Sequence, residues 1–509
     1  MNHEVKSRRR LFTCIPALFL LSLNMENNTH LKKELSLTDA TMLVIGSMIG
    51  SGIFIVSADV SRNLGSPGYL LLTWIITGVV TLISALAYGE LAGMMPKAGG
   101  QYVYLREAYN PLVGFLFGWT TFLVIETGTI AAVAVAFAKY TGVLLPDFIG
   151  TEAKHSFLFF NTQQVLAVAL ICLLTFINIR GVKSAKFVQF IFTSTKIIAL
   201  LGLAIIGIIV GMNPEKGVWA INSIDFWSPV SMVWKDGKIM DYQYLSVGDL
   251  KLWSIVGLAL IGPLFSSSAW NNVTFTAGEM KNPKKDIPLS LFYGTLAVSA
   301  LYILANIAYL MLLPLQGHPN ATDTLSRGIM FATNDRVATA AAEIIFGKPA
   351  AIIMAVFIMI STFGCNNGII LTGARVYYAM AKDKLFFSKA SELNEKGVPK
   401  FSLIIQCVWA SLLCLSGTYG DLLDYTVFSI LIFYILTIFA VFILRKKQPD
   451  TSRPYKAFGY PFVPALYLIF AVALCVDLLI YKPIPSWAGV GIIVLGIPIY
   501  YLWKGKKQA

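Results

Sequence analysis

Apolar residues are gathered along the chain into about twelve stretches separated by short polar or charged segments, each long enough, or nearly so, to cross roughly 30 Å of hydrocarbon as a helix. They run near 37–64, 67–95, 111–145, 163–179, 186–211, 252–279, 288–314, 349–381, 401–417, 421–444, 460–481 and 486–503. The pattern predicts an all-α polytopic membrane protein with twelve transmembrane helices. Two of the stretches interrupt their own helical pattern. Ile45 to Phe54 carries Gly46, Gly50 and Gly52 inside the first, and Leu258 to Asn271 carries Pro263 and the serines 266–268 inside the sixth. Proline removes a backbone donor and three adjacent hydroxyls compete for helical carbonyls, so both spans are expected to unwind at mid-membrane.

Non-helical backbone at that depth persists only where protein or a water-filled cavity satisfies its polar groups, and such breaks mark binding sites. Breaks in positions one and six predict a 5+5 inverted repeat, with repeat one about 37–211, repeat two about 252–444, and helices 11–12, about 460–503, outside it. A zwitterion would suit the two breaks. Amides at the start of a half-helix, around Gly50, Ser51 and Gly52, can receive a carboxylate, and the small glycines let the ligand approach the backbone. Carbonyls at the ends of the preceding half-helices, at Ser47, Met48, Phe265, Ser266 and Ser268, can receive an ammonium. The plainer alternative is that the glycines only let helices pack closely.

Composition narrows the class. Of 509 residues 56% are hydrophobic and 13% charged, and the mean hydropathy is +0.69, which excludes an ordinary soluble domain. About two thirds of the 40 Lys and Arg fall in loops that are cytoplasmic when both termini are inside, so that orientation is expected. The net charge of +13 then points to anionic lipid headgroups, and no basic soluble face for nucleic acid is visible. Six cysteines without CxxC spacing and four scattered histidines offer no metal site, cofactor or hydrolytic triad, so enzymatic chemistry is not expected. Arg8-Arg9-Arg10 before Leu11–Leu23 resembles a secretory signal, but the run lacks a clear cleavage site and is too short to span. Residues 1–24 are read as an extension upstream of a start at Met25, or as an interfacial segment, and 25–509 as one transporter domain.

The broken spans also carry a family resemblance. Gly46 to Phe54, then Tyr88-Gly89-Glu90-Leu91 with Pro96 and Gly99-Gly100, then Phe265 to Glu279 resemble the amino acid-polyamine-organocation transporters over nearly all of residues 35–505. The L-type amino acid transporter branch is the most similar, through Ser268-Ala269-Trp270-Asn271, Glu279-Met280-Lys281-Asn282-Pro283 and Ser361-Thr362-Phe363-Gly364. The resemblance implies the fold of the sodium-coupled leucine transporter. It also implies that Ser51 and Gly52 bind a substrate carboxylate, that Met48, Phe265 and Ser268 meet the amine, and that Phe265 is an aromatic gate.

Two charges lie deep within spans. An unpaired ammonium at Lys196, mid-way along the fifth, would cost about 2.5–3.5 kcal/mol. The resemblance implies that this lysine stands where sodium-coupled relatives hold an ion, reaching a carbonyl near Gly46 or Ser47 and a hydroxyl of Ser361 or Thr362. Transport without sodium follows, and a buried lysine can also carry a proton. Glu126, in the third span, is read as a path residue, a proton site, or a structural hydrogen-bonding group. Glu90, Glu279 and Arg375 suit inner-gate ion pairs or interfacial anchoring. Trp219, Trp227 and Trp234 suit the membrane interface, and Asn366 and Asn367 suit either pocket lining or helix-to-helix bonds.

The implied activity is alternating-access transport of neutral L-amino acids, by exchange or proton-linked uptake. The alternatives are a carrier of cationic amino acids or polyamines, which would recruit Glu126, and a sensor that binds without transporting. The loop 145–162 has no cysteine, whereas animal L-type transporters use one there to bond a heavy chain. A protein of the bacterial inner membrane that works without a disulfide-linked partner, possible as a monomer, is therefore expected.

Overall fold

The computed structural model describes residues 31–149, 156–157, 160–235, 238–416 and 419–505; the extension 1–24 lies outside them. The chain is helical almost throughout. In order come α1 (Leu37–Met48), α2 (Val56–Leu64), α3 (Pro67–Met94), α4 (Gln101–Ala108), α5 (Pro111–Thr120), α6 (Glu126–Leu144), α7 (Thr162–Ile179) and α8 (Val182–Gly211). Then follow α9 (Leu250–Ala259), α10 (Ile261–Ser266), α11 (Pro283–Leu312), α12 (Val337–Phe346), α13 (Ala350–Lys382), α14 (Lys400–Ser416), α15 (Tyr419–Lys447), α16 (Phe462–Tyr481) and α17 (Pro483–Gly505). Ten helical segments among the described residues are long and apolar enough to cross a membrane, which makes this a multi-pass membrane protein. The other two apolar stretches of the sequence are α14, one residue short of that length, and residues 37–64, divided between α1 and α2.

The helices start where side chains can replace missing backbone partners. Ser36 and Asp39 form a capping box on α1, Ser66 caps α3 with Pro67 in its first turn, and Asn161 pairs with Gln164 at the start of α7. Inside the bundle α11 packs against α3, α8 and α1, while α13 packs against α6, α8 and α1. These two long helices therefore flank the broken first span.

The segment 212–250 is more ordered than its loop-like sequence suggests, holding a helical turn at Trp219–Ser223 and a hairpin of Val230–Lys235 with Lys238–Tyr244. Its Phe226 carbonyl accepts from Ser66 Oγ at 2.6 Å and from the Gly68 amide at 2.8 Å. Trp227 lies directly over Gly68, so it seals the start of α3 as well as facing outward.

At the opposite end of the bundle the expected carboxylates find partners. Glu279 receives Arg375 Nη2 at 2.7 Å and Nε at 3.1 Å, with both side chains wholly buried. Glu90 receives Arg445 at 2.6 and 2.9 Å and the Ala457 amide at 2.7 Å, and Arg106 and Tyr102 both bond Asp383. Breaking a buried pair by removing one partner costs about 3–5 kcal/mol, because the other charge is stranded. Arg375→Ala is accordingly expected to lower the thermal midpoint in detergent sharply, and Arg375→Met combined with Glu279→Gln to recover most of the loss.

Candidate functional site

The first break is short and sharp. α1 stops at Met48, Ile49 turns to extended backbone (φ −75°, ψ 94°), and helical geometry resumes as a single 3-10 turn over Gly52–Phe54 that leads into α2. Neither the Gly50 nor the Gly52 amide has an acceptor among the described residues. Ser47, Met48, Gly50, Ser51 and Gly52 are all buried. Gly46 is required for a different reason: a Cβ there would stand 2.0 Å from Gln189 Nε2 and 2.3 Å from Thr193 Oγ1 of α8. Packing and unwinding thus divide the glycines between them.

In the second break α10 ends at Ser266, Ala269 takes a left-handed conformation (φ 64°), and the chain continues as ten residues of 3-10 helix, Trp270–Glu279. A non-glycine residue there is strained backbone, of the kind that collects at functional sites. Ser266 Oγ donates to the Gly262 carbonyl at 2.8 Å, the competition that a serine next to a proline turn introduces. A 3-10 run of this length is uncommon.

The two breaks meet. A Cβ on Gly52 would fall 2.0 Å from Ser266 Oγ and 2.7 Å from Ser266 Cβ. Tyr302, from α11, places its hydroxyl 3.1 Å from the Met48 carbonyl and 3.0 Å from the Ser266 carbonyl. Cys365 Sγ donates to the Ser47 carbonyl at 3.0 Å, and the Phe265 carbonyl accepts the Ser268 amide at 3.0 Å. Of the five carbonyls expected to receive an ammonium, those of Ser47 and Phe265 therefore already hold a protein donor of their own, while those of Met48 and Ser266 share the one proton of the Tyr302 hydroxyl.

Lys196 is 2% exposed, and its ammonium donates to the carbonyls of Gly46 (2.5 Å), Ile49 (2.7 Å) and Ser361 (3.2 Å). Two of these carbonyls, Gly46 and Ile49, lie at the end of the half-helix α1 and suit a cation, since they carry the negative end of its dipole; that of Ser361 comes from within α13. The expected hydroxyl contact is corrected: Lys196 meets the main chain of Ser361. Ser361 Oγ donates instead to the carbonyls of Ile49 (3.1 Å) and Gly50 (3.0 Å). Thr362 is turned away, its hydroxyl bonding Ile358 and Met359 within α13, because a threonine in a helix satisfies itself on the preceding turn.

Two small cavities lie on either side of Ser268. One is lined by Phe265, Ser267, Ser268, Thr81, Ser84 and Tyr434 among others. The other is lined by Ser268, Gln101, Asn271, Asn272, Tyr434 and Glu126 among others. Glu126 follows a π-helical turn, Thr121–Ile125, and its Oε2 is buried with no hydrogen-bond partner among the described residues. The residues of the first break line neither cavity, being covered by Ser266, Gly368 and Cys365. Asn366 and Asn367 bond across helices, to the Ile130 carbonyl (3.2 Å) and to Gln189 Oε1 (2.9 Å), and are absent from the linings of both cavities.

Tyr302 and Cys365 escaped the sequence reading. Tyr302, Asn306 and Tyr309 do form a polar stripe at i, i+4 and i+7 on an apolar helix, a spacing that marks one buried face. Cys365 offers only an apolar context.

Paired breaks, a resident ammonium and a polar cavity inside a multi-pass helical bundle define a membrane transporter. Residues 35–502 match the amino acid permease family, and the chain belongs to that family. It is 31% identical over 482 residues to the mouse "Large neutral amino acids transporter small subunit 2", covering 94% of this chain and 83% of that protein. Identity is 30% over 483 residues to the "Serine/threonine exchanger SteT" of Bacillus subtilis, covering 94% and 98%. The mouse "Asc-type amino acid transporter 1" is likewise 30% identical over 483 residues, covering 94% and 83%.

Proposed function

We propose that this protein carries neutral L-amino acids across the membrane by alternating access, as an exchanger or with a proton, and without sodium. The observation that supports this reading is the contact of the two unwound stretches at Gly52 and Ser266, with the Gly50 and Gly52 amides finding no acceptor among the described residues. Amides of Gly50, Ser51 and Gly52 receive the carboxylate, and the carbonyl cluster of Ser47, Met48, Phe265, Ser266 and Ser268 receives the ammonium. Phe265, beside Ser268 in the lining of the first of the two cavities, serves as the gate. Lys196 substitutes for a coupling ion, which removes the need for sodium. The architecture that fits is twelve spans: ten long helices, α14, and the pair α1–α2. They form a 5+5 inverted repeat, about 37–211 and 252–444, with two further helices, in a single domain from 25 to 509. Both termini are placed in the cytoplasm of a bacterial cell, and the protein works in the inner membrane without a disulfide-linked partner.

Flux into liposomes, preloaded or empty, at several pH values and in sodium or choline, tests this reading. Uptake of alanine, serine or threonine driven by internal amino acid and indifferent to sodium is expected. Binding with no flux under any gradient would leave a sensor instead.

Glu126 is assigned to the proton-linked mode, because a buried carboxylate with one oxygen, Oε2, unpaired among the described residues is expensive to hold as an anion. Glu126→Gln is expected to remove any stimulation of uptake by an inward proton gradient while amino acid exchange continues. Competition by arginine or putrescine in the native protein, lost in Glu126→Gln, would assign this carboxylate to cationic cargo.

A further inference from the structure

Tyr302 is 1% exposed, and its ring stands edge-on to Trp74 with centroids 5.3 Å apart, so the hydroxyl is held in one place. That hydroxyl contacts one main-chain carbonyl from each broken span, Met48 at 3.1 Å and Ser266 at 3.0 Å. A phenol owns a single proton and can donate to one carbonyl at a time. The second carbonyl then faces an oxygen lone pair, an arrangement that stands only if something else gains from it. Two carbonyls converging from the last residues of α1 and α10 describe the seat of a positive centre, as those of Gly46 and Ile49 beside Lys196 do. The same helix holds the outer half of the first span, through Tyr309 Oη to the Ile53 carbonyl at 3.3 Å and Ser57 Oγ to Asn306 Oδ1 at 2.6 Å.

We infer that Tyr302 is a positioning residue whose hydroxyl stands in a two-carbonyl cation seat. It ties the two unwound stretches together and leaves one carbonyl lone pair for the ammonium of the cargo. The inference rests on the transport reading for its cargo half only. The seat itself is a property of the empty protein, and removing the hydroxyl opens it to an alkali cation.

The test compares the purified full-length protein with Tyr302→Phe and with Tyr309→Phe, which loses the same group away from the seat. Thermal unfolding without amino acid is measured in choline, sodium and potassium chloride at equal ionic strength. Tyr302→Phe is expected to be less stable than the native protein in choline and to gain about 3 °C in sodium or potassium, as a ligand bound only by the folded state would give. The native protein and Tyr309→Phe should shift by less than about 1 °C. In liposome exchange Tyr302→Phe should raise KM about tenfold in choline, with kcat within about threefold and KM partly restored by the alkali cation. Recovery of folded Tyr302→Phe only in sodium or potassium also supports the seat. Its loss in all three salts alike, a native KM, or an equal fall in kcat with no cation response would each overturn the inference. Cation stabilisation of Tyr302→Phe in a protein that moves no neutral amino acid would keep the seat and dismiss the cargo reading.

Discussion

Gly52→Ala is expected to abolish amino acid binding and to reduce transport by at least about two orders of magnitude. The added methyl would stand 2.0 Å from Ser266 Oγ, 2.7 Å from its Cβ and 3.2 Å from its Cα. Rotating the hydroxyl away breaks its 2.8 Å bond to Gly262 and still leaves the Cβ contact. The second break must therefore move as a unit, by something near 1 Å, and displacement on that scale is enough to cost about a hundredfold in rate. Ser266→Gly should relieve the clash, so the double variant is expected to bind better than Gly52→Ala alone, a coupling that only contacting residues show. Native affinity in Gly52→Ala, read by calorimetry or by ligand-induced thermal shift, would mean that the two stretches do not meet in the binding state.

Replacing Lys196 by methionine has the next largest expected effect. The apolar chain fills the same volume, but the carbonyls of Gly46, Ile49 and Ser361 lose their shared donor. The Ile49 carbonyl keeps Ser361 Oγ and that of Ser361 lies within α13, so the Gly46 carbonyl is the one stranded, at a cost of about 1–3 kcal/mol, where α1, α8 and α13 meet. Flux per folded molecule should fall by about one to two orders of magnitude, since each 1.36 kcal/mol is a factor of ten in rate. Expression and monodispersity should fall less. Unchanged flux per folded molecule would show that the ammonium bridge is idle.

Much of this site was legible in the chain because its signals are local. Glycine at three places within seven residues, Pro263 ahead of three serines, and a lysine far from either end of its span each contradict the pattern around them. A contradiction in a membrane helix points to a function. Contacts made across hundreds of residues were not legible. Tyr302 reaches Met48 from 254 positions away and Cys365 reaches Ser47 from 318, and nothing in the intervening sequence records the distance. The Ser361 contact of Lys196 was hidden for a related reason: its hydroxyl is visible in a sequence, whereas the main-chain carbonyl that Lys196 meets is one any residue supplies. The long 3-10 run of Trp270–Glu279 and the π turn before Glu126 are set by packing against neighbouring helices, and their residues read as ordinary helix.

The most direct measurement is an experimental structure of the protein in lipid nanodiscs with L-threonine present. The ligand is expected between the two breaks, its carboxylate within hydrogen-bonding distance of the amides at Gly50–Gly52 and its ammonium facing the Met48 and Ser266 carbonyls. A ligand seated elsewhere, or unbroken α-helical hydrogen bonding through Ile49 and Ser267, would contradict it.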